Sequence, residues 1–165
     1  MEFHLAQLNV GRAKGPMDGP VMAGFAAELE RINALADSSP GFVWRLQTED
    51  GDATAIRPYE DERMMVNMST WESIEQLRQY VYTSGHTQVM RHRQQWFEKL
   101  DVYLVLWWVP AGHEPSVTEA IERLHHLQAH GPTPYAFTFR AAFPLADVHE
   151  PAAEPVIDDE IGCPA

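Results

Sequence analysis

The order of elements along this 165-residue chain predicts an α+β domain: a ferredoxin-like split βαβ unit with an antiparallel sheet and extra helices. Two observations carry that expectation. Segments of two-residue alternation and of helical spacing follow one another as strand, helix, strand, strand, helix, strand. The fourth strand is apolar on both faces, with Tyr103, Val105, Trp107 and Val109 on one and Leu104, Leu106 and Trp108 on the other. Helices cover only one face of such a sheet. The other face needs a cover, most simply the sheet of an identical subunit, which predicts a homodimer. The alternative is that an extra helix and the tail of the same chain cover it.

Residues 3–10 alternate as a first strand, with Phe3, Leu5, Gln7 and Asn9 facing one way. Three glycines and two prolines make residues 11–20 a loop. Met22, Phe25, Leu29, Ile32 and Ala36 stand at helical spacing within residues 21–37, and Ser38-Ser39-Pro40-Gly41 ends that helix. A short strand covers 42–47, a polar loop or irregular hairpin 48–61, and a third strand 63–69. Thr70 is placed to cap a helix that begins at Trp71 and turns Ile74, Leu77 and Val81 inward. Ser84-Gly85 interrupts it, and His86 starts another helix reaching Leu100. The fourth strand runs over 102–109 and closes at Pro110-Ala111-Gly112. Ser116 and Glu119 have the spacing of a capping box, before a helix with Val117, Ala120, Ile121, Leu124 and Leu127 inward and Gly131-Pro132 at its end. Residues 136–140 form a last short strand.

One domain spans residues 1–144. Beyond it, residues 145–165 are an acidic, proline-rich tail that cannot bury enough apolar surface to hold one shape and is expected to be disordered. The net charge of −12 leaves no basic surface for nucleic acid or for an anionic membrane. No apolar run reaches the length of a spanning helix, and no secretory signal opens the chain. The single cysteine, Cys163, permits no internal disulfide, which suits a reducing cytoplasm.

The residues most suggestive of a site are His86 and Arg93. On one continuous helix they stand seven residues, two turns, apart, on the face shared by Val89, Met90, Trp96 and Phe97. A guanidinium cannot discharge, so an inward Arg93 needs a carboxylate, an anion or a wet cavity. His86 suits a general base or a metal or haem ligand, or else a hydrogen bond to the preceding loop. Arg93 suits a substrate carboxylate or a developing oxyanion, or else an ion pair with Glu72, Glu75 or Asp101. Asn9 and Asn67 are amides on sheet positions and need partners. Trp71, Met90, Trp96 and Trp108 are candidate walls for a flat aromatic ligand, against the commoner use of such residues as core. His113, after its Pro-Ala-Gly turn, is a candidate gate or a plain loop residue. His126 and His130 share a helix face, but no third metal ligand accompanies them and no metal site is expected.

Three strings carry a family resemblance: Asn67-Met68-Ser69-Thr70-Trp71-Glu72-Ser73-Ile74-Glu75-Gln76-Leu77, Met90-Arg91-His92-Arg93-Gln94-Gln95-Trp96-Phe97, and Tyr103-Leu104-Val105-Leu106-Trp107-Trp108-Val109-Pro110-Ala111-Gly112-His113. They resemble the domain of unknown function 3291, from about Leu5 to Phe139. The resemblance implies the dimeric α/β-barrel superfamily, with its antibiotic-biosynthesis and haem-degrading monooxygenases. It also implies roles for Asn9 and Trp71, since an Asn and a Trp help activate substrate for oxygen in the cofactor-independent oxygenases there. The expected function is then a cofactor-independent monooxygenase-like or proton-transfer enzyme acting on a small aromatic or polyketide-like metabolite. His86 would be the base, with Arg93 and Asn9 as donors to the substrate. The alternatives are a haem-binding or other non-catalytic ligand-binding protein, and a structural dimer. In the haem-degrading branch the ligating histidine falls near Met90 or Arg91 rather than at His86, which makes haem the second reading.

Overall fold

The computed structural model describes residues 1–83 and 85–145, with Thr83 and His86 by their backbone only. Nine elements follow in order: β1 (Phe3–Arg12), α1 (Ala23–Asp37), β2 (Phe42–Arg45), β3 (Met64–Trp71), α2 (Ile74–Thr83), α3 (His86–Arg91), α4 (Arg93–Trp96), β4 (Leu104–Pro110) and α5 (Val117–His130). The sheet is antiparallel in the order β2-β3-β1-β4, the arrangement expected of a split βαβ unit. Register sets Leu5, Gln7 and Asn9 of β1 opposite Trp71, Ser69 and Asn67 of β3.

Both faces of the sheet are covered within the chain. Ala6, Leu8 and Val10 with Val105, Trp107 and Val109 pack under Ala120, Leu124 and Leu127 of α5. On the opposite face Leu5, Trp71 and Leu106 meet Ala36 of α1, Leu77 of α2 and Phe137. The Trp108 indole N–H donates to the Phe143 carbonyl at 3.0 Å. The two apolar faces of β4, the reason for expecting a homodimer, are therefore covered within the chain, Val105, Trp107 and Val109 by α5 and Leu106 and Trp108 by the segment after it. The cover from α5 is an amphipathic 14-residue helix, the alternative of an extra helix of the same chain.

Several boundaries differ from expectation. Thr70 and Trp71 continue β3, paired with Ala6 and Leu5, instead of capping and opening a helix. Ser73 caps α2, its Oγ accepting the Gln76 N–H at 3.2 Å. Trp71 is a good strand former, and full burial against Phe42 and Tyr80 outweighs the cap signal at Thr70. Helix α1 begins at Ala23, leaving Val21 exposed. The helix expected from His86 to Leu100 breaks at His92 into α3 and α4, and Phe97 turns extended to bridge Ala13. Burial of Trp96 and Phe97 with Met22 fixes that break. Residues 136–140 supply isolated bridges to Leu106 and Thr133 rather than a strand. The capping box is half formed: Ser116 Oγ accepts the Glu119 N–H at 3.0 Å, while the Glu119 carboxylate bonds elsewhere. Gly131, at φ 73°, ends α5 in the left-handed region that glycine tolerates. The tail beyond residue 145 lies outside the described residues. No helix among the described residues is long and apolar enough to cross a membrane.

Candidate functional site

Helices α1 and α2 do not close fully on the sheet. Between them lies a cavity of about 290 Å³. Its floor is the side of β1 and β3 that carries Gln7, Asn9, Gly11, Asn67, Ser69 and Trp71. Period-two alternation puts all six on one face, and the antiparallel register sets them side by side. Phe25, Leu29 and Asn33 of α1, Tyr80 of α2, Val89 and Met90 of α3, and Arg93 and Trp96 of α4 form the walls.

The floor is wired by hydrogen bonds. Gln7 Nε2 donates to Asn67 Oδ1 and to Ser69 Oγ, both at 2.8 Å. The Trp71 indole N–H donates to the same Ser69 Oγ at 2.9 Å. Tyr80 stacks on Trp71 with centroids 5.1 Å apart and donates its hydroxyl to the Ile32 carbonyl. Burial, with Asp37 adding to it and Arg45 opposing, pushes the Tyr80 pKa far up, so the phenol stays protonated.

Arg93 stands at the other end. Its guanidinium carbon lies 5.0 Å from the Phe97 ring centroid and 4.8 Å from that of Tyr103. Nη2 donates to the Val10 carbonyl at 3.4 Å. No carboxylate pairs with it among the described residues, so the expected ion pair with Glu72, Glu75 or Asp101 does not form there. Burial lowers its pKa and Tyr103 raises it, yet a guanidinium remains charged at any ordinary pH. Gly11 makes room for the Phe97 ring on which the guanidinium stacks: a Cβ at this position would lie 2.8 Å from Phe97 Cδ1 and 3.4 Å from Arg93 Nη2. The other cationic wall residue, Arg45, is neutralised by Asp37 at 2.7 Å.

Of the residues singled out in the sequence, Asn9, Asn67, Trp71, Met90, Arg93 and Trp96 line this cavity together. The His86 side chain lies outside the described residues; its backbone opens the helix whose Val89 and Met90 line the wall. His86 and Arg93 do not share one continuous helix, because His92 ends α3 and α4 starts anew. Trp108 and His113 are not among the cavity's lining residues. Trp108 packs against the segment holding Phe143, and the exposed His113 bonds Glu119 at 2.7 Å at the start of α5. Among the described residues no group of three metal-ligating side chains occurs.

Sequence reasoning passed over Asn33 and Ser69. Asn33 is 8% exposed on α1, lines the cavity, and its amide has no hydrogen-bond partner among the described residues. The signal was present: a polar residue beside Ile32 and Ala36 on the inward stripe of a helix. Ser69 gave none, since a serine at the end of a strand is unremarked without its neighbours.

The site therefore defines an α+β domain with one aromatic-walled, amide-floored cavity between sheet and helices. The chain belongs to the family described as Domain of unknown function (DUF3291), whose model matches residues 4–153, nine residues beyond the expected domain limit at 144. No curated protein matches it. Among solved structures it is similar to SnoaB, a cofactor-independent oxygenase from Streptomyces nogalater, at 15% identity and a TM-score of 0.45, covering 67% of this chain and 95% of that one. It is also similar to PA3566 from Pseudomonas aeruginosa, at 13% identity and a TM-score of 0.45, covering 66% and 94%. A protein of unknown function from Nitrosomonas europaea, NE2512, stands at 13% identity and a TM-score of 0.44, covering 69% and 96%.

Proposed function

We propose that the cavity binds a flat aromatic or polyketide-like metabolite carrying an anionic oxygen, and that the protein acts on it as a cofactor-independent monooxygenase-like or proton-transfer enzyme. One observation carries the reading. In a chain of net charge −12, the described cavity wall holds no carboxylate, and its one guanidinium without an ionic partner is Arg93. Such a charge in a partly dry, aromatic-walled space favours an anion and would stabilise negative charge that develops on a substrate oxygen. Trp71, Tyr80, Phe25 and Trp96 supply the faces on which a planar ring stacks. Asn9 and Asn33 supply further donors. Under this reading Arg93 and Asn9 hold the enolate or phenolate oxygen. His86, on the helix beside the cavity, takes the proton. A planar anion is then poised for reaction with oxygen.

Haem is the alternative occupant. Among the described lining residues no histidine or cysteine is available to iron, only the sulfurs of Met65 and Met90 and the tyrosine phenols. The histidine ligation of that alternative would have to come from His86, whose side chain lies outside the described residues, and no step is assigned through haem.

The test is oxygen uptake with anthrone-like and quinol substrates, in the wild type and in His86→Ala and Arg93→Ala. A fall of at least about a hundredfold in kcat/KM in either variant is expected for a residue that stabilises the transition state. Unchanged turnover in both would reject these roles.

A further inference from the structure

Deepening that reading, and resting on the cavity being the ligand site, we propose that Ser69 is a specificity residue whose hydroxyl donates to a carbonyl-type acceptor oxygen on the bound ligand. A serine oxygen has two lone pairs and one proton. Both lone pairs are occupied, one by Gln7 Nε2 at 2.8 Å and one by the Trp71 indole N–H at 2.9 Å. Gln7 Nε2 spends its second proton on Asn67 Oδ1. The amide is thereby set with its nitrogen toward Ser69, and Ser69 has no acceptor there. Its proton has no acceptor among the described residues. Ser69 is 6% exposed and lines the cavity.

A buried hydroxyl with both lone pairs engaged is a one-way device. It can donate to a ligand and cannot accept from one. A ligand with a carbonyl oxygen at this point completes the network, whereas one with a C–H there leaves the donor unsatisfied. Arg93 and Ser69 then select two features of one molecule: an anionic group at the Arg93 end and a carbonyl over the floor. The substrate class is thus a planar aromatic that bears a ring carbonyl as well as an acidic group.

The experiment uses two probes of equal charge, anthraquinone-2-carboxylate and anthracene-2-carboxylate, titrated against tryptophan fluorescence in the full chain. The wild type is expected to prefer the quinone by about tenfold, one well-placed hydrogen bond. Ser69→Ala should bring the two affinities within about twofold. Gln7→Glu gives a second arm should Ser69→Ala fold poorly. A carboxyl oxygen beside Ser69 draws the hydroxyl proton to itself, so the preference should vanish although the serine remains. The ratio of the two affinities is read because a general structural defect would weaken both probes alike. A preference that survives both substitutions would mean that Ser69 donates to its neighbours instead, and would overturn the assignment while leaving the cavity reading intact. Failure of both probes to bind the wild type would defeat the cavity reading and this inference with it.

Discussion

Gly11 faces Arg93 across the gap between β1 and α4: a Cβ on residue 11 would stand 3.4 Å from the guanidinium Nη2. The same Cβ would meet Phe97 Cδ1 at 2.8 Å, closer than side chains tolerate. The Phe97 ring cannot easily withdraw. It bridges Ala13 through its backbone and meets Phe25 edge-on with centroids 5.0 Å apart. Gly11→Ala should therefore destabilise the protein by about 1–3 kcal/mol, the range for overpacking. It should also weaken anthraquinone-2-carboxylate, because a displaced Phe97 ring shifts the guanidinium that stacks on it. Chemical denaturation and fluorescence titration measure the two effects, and an alanine that alters neither would show that this close approach has no role.

Arg93→Met should separate stability from binding. The guanidinium has a backbone carbonyl and two rings for company, and no carboxylate among the described residues. Replacing a partly buried, unpaired charge with an apolar side chain of similar length is neutral or stabilising in a packed site. The midpoint of thermal unfolding should hold or rise, while the preference for anthraquinone-2-carboxylate over its neutral carboxamide disappears. This is the signature of a residue kept for function at a cost in stability. A marked fall in the midpoint would instead make Arg93 a structural residue.

His113→Ala should leave ligand affinity unchanged. The imidazole is exposed and pairs with Glu119 at 2.7 Å, away from the residues that line the cavity. Glu119 keeps its bond from the Trp107 indole at 3.2 Å, so the stability change should stay within about 0.5 kcal/mol, as for ordinary surface substitutions. Titration of the variant with the anionic probe checks it; a severalfold weakening would restore His113 to the site.

Stability should fall as the medium is acidified from neutrality, and His126 is one cause. Burial first, then His130 and Arg123, hold its pKa below the ordinary 6.5. The unfolded chain therefore binds a proton at this residue at a higher pH than the folded chain does. The stability at stake is complete above about 6.5 and is lost as pH drops through the lower folded value. Asp61 acts in the same direction further down, since hydrogen bonds from Arg12 and then from the Arg63 backbone hold its pKa below 3.8. His126→Gln should flatten the slope of unfolding free energy between pH 7 and about pH 5 and leave the steeper loss below pH 4 in place. Denaturant titrations at stepped pH read both windows; an unaltered slope near pH 6 would remove His126 as the cause.

The architecture was legible because it rests on local periodicity. Alternation in β1 and β4, helical spacing in α1 and α5, and the Ser116 cap each declare themselves within a few residues, and their order implies the split βαβ sheet. The inward character of Arg93 was legible too, because a guanidinium among Val89, Trp96 and Phe97 needs an explanation wherever the helix ends. What the chain could not reveal locally was decided by contacts distant in sequence. The break at His92 follows from Phe97 pairing with Ala13, and the cover on β4 from α5 folding back over it. Ser69 acquired meaning only when Gln7, 62 residues away, and Trp71 both aimed protons at one oxygen. Periodicity is a property of neighbours along the chain, whereas hydrogen-bond direction and unpaired charge are properties of neighbours in space. That is why the fold could be read from the residues in order, and the wiring of the cavity only from the folded molecule.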